Sequence, residues 1–178
     1  MILRCTKKII DLVGLGPKDL ATIEPGDEDW YANLLWLDRR KCLLLAHAGT
    51  LFSVFASDVR KASLVPLAEV VIGQIHHQLA MENLPPNALG ELDPGSVRLA
   101  RTANRAVLGY MNEMARYCEY AVADQGGLGR CDVDSLNRGL RRELHLSRRP
   151  PGYFVPIDLV VEHSRAGERP SLRIVDSE

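Results

Sequence analysis

Two groups of side chains in this 178-residue sequence could do chemistry, and they ask for different chemistries. The first is one histidine. His47 lies inside "CLLLAHAGTLFSVF" (residues 42–55), one of the most apolar stretches of the chain. A neutral imidazole with a pKa near about 6.5 can take or give a proton at physiological pH. His47 is therefore the candidate catalytic residue. The competing reading is a buried histidine hydrogen-bonded to Thr50 or to a backbone carbonyl. Ser53 falls on the opposite face of the same strand pair, so no nucleophile joins His47 to make a triad.

The second group is cationic and sits at two strand-to-helix turns. "RTANRAVLGYMNE" (101–113) opens a helix with Arg101, Thr102, Asn104 and Arg105, and carries Asn112 further along. Free amide groups at a helix start, beside guanidinium groups, suit an anion such as phosphate. "RCTKK" (4–8) repeats the logic with Arg4, Thr6 and Lys7. If both turns meet at one edge of a sheet, they form a single basic pocket. The plain alternative is ordinary capping by Thr102 with solvated arginines. A third basic run, "NRGLRRELHLSRRPPG" (137–152), lacks the interleaved aromatics that would stack bases and reads as a solvated helix face.

No metal or cofactor pattern appears. His76 and His77 are adjacent and point about 100° apart on a helix, so one ion cannot easily take both. Cys5, Cys42, Cys118 and Cys131 show no Cys-x-x-Cys spacing. Most sit among apolar residues, which fits reduced thiols in a cytoplasm. No run of about 18 apolar residues marks a membrane span. The formal net charge of −1 gives no whole-molecule pull toward nucleic acid.

The elements that must hold these groups follow from periodicity. "MILRC" reads as a first strand and "TKKIIDLVGLG" as a short helix capped by Thr6 and stopped at Gly14. Residues 30–56 read as a three-stranded antiparallel meander. Placing the tight turns at Arg39-Arg40 and Ala48-Gly49 pairs Trp36 with Leu43, Ala32 with His47 and His47 with Thr50. Both faces of that meander are apolar, so helices, the rest of the chain or a second copy must cover them. Apolar residues recur at helical spacing over about 66–83 and 102–124. A strand is expected at "SVRLARTA", a short helix after Asp132, and a last strand-to-helix element at "GYFVPIDLVVEHS". The fold class is therefore α+β, with a mainly antiparallel sheet covered by the two longer helices. Residues 1–164 form one domain in this reading, and 165–178 a flexible tail.

The blocks "MILRCTKK", "WYANLLWLDRRKCLLLAHAGTLFSVF", "DVRKA", "RTANRAVLGYMNEMA" and "YAVADQGGL" resemble, in matching order over about residues 1–160, a bacterial family of unknown function. Its members open with Arg-Cys-Thr-Lys-Lys and carry an Arg-x-x-Leu-Gly-x-Met-Asn helix start. The resemblance implies a small cytosolic bacterial or mobile-element protein and supplies no activity. Small residues such as Ser are common in the family where this chain has Ala106 and Tyr110, and Asp where it has Glu113. Two functions are then open. One is a binding or regulatory module of a defence, toxin–antitoxin-like or mobile-element system. It would hold a phosphate-bearing or protein partner through the Arg4/Lys7 and Arg101/Arg105 surface, as a homo-oligomer if a second copy covers the sheet. The other is a small metal-independent enzyme acting on RNA or a nucleotide, with His47 as general base and Arg4 or Arg105 stabilising phosphate charge.

Overall fold

The computed structural model describes residues 1–148 and 151–166. The chain runs β1 (Ile2–Cys5), α1 (Lys7–Val13), β2 (Trp30–Leu37), β3 (Arg40–His47), β4 (Ser53–Ala56), α2 (Leu67–Met81), β5 (Arg98–Arg101), α3 (Arg105–Asp124), α4 (Val133–Arg142), β6 (His145–Arg148), β7 (Pro151–Phe154) and α5 (Pro156–Ala166). Five strands form one mixed sheet in the order β4-β3-β2-β1-β5. The β2-β3-β4 meander is antiparallel, whereas β1 pairs in parallel with both β2 and β5. The class is thus α+β with a mostly antiparallel sheet, as the sequence pattern indicates.

The meander register differs from the expected one, and the turns explain why. Trp30 faces His47, Ala32 faces Leu45 and Trp36 faces Lys41. The two-residue turn is Asp38-Arg39, both with positive φ (47° and 62°), one position earlier than expected. Aspartate tolerates the left-handed conformation, and the Asp38 carboxylate is further fixed by accepting from the Leu128 amide. The second turn is longer than two residues: the His47 amide donates to the Phe52 carbonyl and the Leu51 amide to the His47 carbonyl. Both slips move each partner by two residues. An even slip keeps every side chain on its face, so the predicted faces survive although the predicted pairs do not.

Those faces feed two cores. Trp30, Ala32, Leu34, Leu43, Leu45, Phe52 and Val54 pack with Ile9 and Ile10 of α1, with Leu67, Val71, Ile75 and Leu79 of α2, and with Val160 of α5. Tyr31, Leu35, Cys42, Leu44 and Phe55 pack with Val107, Met111, Met114 and Cys118 of α3 and with Leu136 and Leu140 of α4. The layers are therefore helix, sheet, helix. Both apolar faces are covered by the chain's own helices, which removes the reason for expecting a second copy over the sheet.

One edge is closed in an unusual way. The Asn137 side chain on α4 accepts from the Phe55 amide at 2.7 Å and donates to the Phe55 carbonyl at 2.8 Å. It thereby stands in for a neighbouring strand along β4. Arg141, one turn on, is fully buried and bonds Glu82 and Gln78 on α2, while Arg142 takes the other Glu82 oxygen. The run expected as a solvated basic face is therefore partly a structural clamp between helices. Arg138 is exposed; Arg149 and residues 167–178, the larger part of the expected tail, lie outside the described residues.

Candidate functional site

Parallel pairing brings the two cationic turns together. β1 and β5 lie side by side in register, with Cys5 opposite Arg101, so both strands end at the same edge. From there the helices part: α1 packs in the core on one face and α3 in the core on the other. In open parallel α/β sheets, ligands bind beyond the carboxyl ends of the strands, where helices leave to opposite faces. Beyond the ends of β1 and β5, Lys7, Arg101 and Arg105 are exposed, with Thr6, Thr102 and Asn104 half-buried.

Each of the sequence-derived residues has a definite place. Arg4 is 2% exposed and committed inward. Its Nε donates to the Asp29 carboxylate, Nη1 to the Arg101 carbonyl at 3.1 Å, and Nη2 to the Ile23 and Glu24 carbonyls at 2.9 and 2.8 Å. Four contacts leave its guanidinium no reach for an outside anion. Asp29 also accepts from the Gly26 amide. This knot straps the 23–29 loop to β1, and burial, with Asp29 beside it, pushes the Asp27 carboxyl upward. Exposed Glu24 belongs to the same loop.

The helix starts also differ from expectation. α3 begins at Arg105, and its cap is Asn104, whose Oδ1 accepts from the Ala106 and Val107 amides at 2.8 and 3.3 Å. Thr102 does not cap it; three residues of connection follow the strand, and the Asn104 amide donates to the Tyr31 hydroxyl at 3.2 Å. At α1, Thr6 holds the cap position but its hydroxyl bonds Asn33 Oδ1 at 3.1 Å instead of the helix amides. Lys7 forms an exposed pair with Asp11, of little energetic weight. Asn112 is exposed two turns along α3.

His47 lies elsewhere. It is 4% exposed, its Nδ1 is 3.1 Å from the Thr50 hydroxyl, and its ring leans on Trp30 at 5.2 Å. Thr50 Oγ1 also accepts from the Phe52 amide. The ring that covers His47 is that of its cross-strand partner, Trp30. It shares the Leu3/Trp30 face, whereas Arg4 stands with Tyr31 on the other, so the imidazole and that guanidinium do not converge.

Burial makes the thiols inert: Cys5 and Cys118 are both pushed up to about 12. Sequence reasoning missed His145. It is buried, packed between Tyr110 at 4.7 Å and Phe154 at 5.6 Å, and burial lowers its pKa. The alternation Leu144-His145-Leu146 was the available strand signal. Among the described residues, no three His, Cys, Asp or Glu side chains gather as metal ligands. No helix there is long and apolar enough to cross a membrane.

The fold defines a class: a small α+β protein with a mixed, mostly antiparallel sheet between two helical layers. Within that class the chain belongs to the family described as a domain of unknown function, DUF6933, which matches residues 2–159. No curated protein and no solved structure matches it.

Proposed function

We propose that the chain is a binding module that takes an anionic, phosphate-bearing partner in a crevice beyond the ends of β1 and β5. The observation that supports this reading is the Cys5–Arg101 register, by which the strands that precede Lys7 and Arg105 end side by side. Arginine offers paired donors that match phosphate geometry. Asn112 is not needed, and Arg4 acts as a positioning residue that fixes the floor. His47 serves the core in this reading, and no observation favours it as a general base.

The regulatory, defence or mobile-element setting and the bacterial source are supported by the sequence resemblance alone. Four free cysteines support a cytoplasmic location. The test is a thermal-shift titration with nucleotides and inorganic phosphate. Stabilisation should rise with ligand concentration and fall at least fivefold in apparent affinity with Arg105→Ala. Unchanged affinity in Arg105→Ala and Arg101→Ala would overturn the reading.

A further inference from the structure

The tip of the β2–β3 hairpin carries a second surface, on different residues from the crevice. Trp36 is 58% exposed, while Trp30, the other tryptophan of the chain, is fully buried. Along that row of β2 the core ends at Leu34, so Trp36 stands beyond the packed layer. Its cross-strand partner is Lys41, with Nζ 5.0 Å from the ring centroid. Arg39 is exposed in the left-handed turn, and Arg40 follows it. The Val59 amide donates to the Lys41 carbonyl at 2.7 Å, which brings Arg60 alongside.

Lys41 therefore lies over one exposed indole, with Arg39 exposed in the adjoining turn and Arg40 on the opposite face beside Leu37, against two acids. Both acids are already engaged: Asp38 with the Leu128 amide, and Asp58 with Arg40 at 3.9 Å. The chain as a whole carries −1, so positive charge is concentrated here against the overall balance. A flat ring rimmed by cations fits a partner that offers flat rings joined by phosphates. Aromatic stacking accepts any base, and cations around it track the backbone. An acidic protein would use the arginines but has no need of the indole face. A duplex hides its base faces in the stack.

We propose that this hairpin tip docks single-stranded nucleic acid, with a base stacked on Trp36 and phosphates held by Arg39 and Lys41. The inference goes beyond the crevice reading and stands or falls separately from it.

The experiment titrates the full-length protein with a labelled oligouridylate of about twelve nucleotides, following anisotropy and intrinsic tryptophan emission together. Trp36 is the exposed fluorophore, so stacking should quench the emission in step with the anisotropy change. Trp36→Ala should weaken binding about 5- to 150-fold, the range expected for one stacked base, and Trp36→Phe should restore most of it. The double change Arg39→Ala with Lys41→Ala should flatten the slope of log affinity against log salt by about 1.4. Arg105→Ala, which disables the crevice, should leave the oligonucleotide-dependent quench of Trp36 emission unaltered. Unquenched emission, undiminished binding by Trp36→Ala, or equal binding of polyglutamate or anionic vesicles would overturn the proposal. Loss of oligonucleotide binding in Arg105→Ala but not in Trp36→Ala would move the strand to the crevice and overturn it as well.

Discussion

At the scale of single residues, burial decides what a charged or titratable group can do. Arg4 and Lys7 are three positions apart in one basic motif, yet one is 2% exposed and the other stands in solvent. Nothing local in "RCTKK" shows that Asp29, 25 residues on, will be buried against the Arg4 guanidinium. Strand parity offered a partial signal, because Arg4 alternates with Leu3 and Cys5. Arg4→Ala leaves the Asp29 carboxylate buried without its cation, and should cost about 3–5 kcal/mol of unfolding free energy. Lys7→Ala should change it by less than about 0.5 kcal/mol. Urea melts of both variants check this, and equal small losses would return Arg4 to the surface. His47 was legible in the sequence as a polar pair with Thr50, and the structure has that pair. Its covering ring was not legible, since that depended on which residues of "LDRRK" make the turn.

At the scale of elements, periodicity located most strands and helices, while side-chain contacts fixed their ends. Asn104 shortened α3 relative to the expected start at residue 102, because a cap is defined by hydrogen bonds that spacing alone does not show. The role of Asn137 was invisible for the same reason: it bonds the backbone of Phe55, 82 residues away. Asn137→Ala uncovers an amide and a carbonyl on the β4 edge. It should cost about 2–4 kcal/mol and favour edge-to-edge association, read by thermal melts and light scattering. A stable monomeric variant would contradict the strand-substitute role.

The β6–β7 hairpin predicts a pH effect. His145 docks it against Tyr110, and burial lowers the imidazole pKa, although Glu113 and Glu143 pull the other way. A lowered folded pKa means that the unfolded chain binds the proton first. Stability from this contact is therefore complete above about pH 6.5 and is lost as pH falls from there through the lowered folded value. The melting temperature of the protein should drop over that window, and His145→Phe should flatten the drop. An identical pH profile in the variant would assign the effect to other groups.

At the scale of the whole molecule, two apolar sheet faces meant that something had to cover them, and the sequence left open what. The structure answers with α1, α2 and α5 on one side and α3 and α4 on the other. What the sequence could not provide was the parallel placement of β1 between β2 and β5, because pairing between strands more than 90 residues apart leaves no local trace. That placement brings the ends of the strands that carry the two basic motifs side by side. The measurement that tests this most directly is an amide chemical-shift titration of the labelled protein with inorganic phosphate and a nucleoside monophosphate. The account predicts saturable shifts confined to Thr6–Lys8 and Arg101–Arg105, lost together in Arg105→Ala. Shifts absent from one of those two turns, or scattered over the surface, would contradict a shared site.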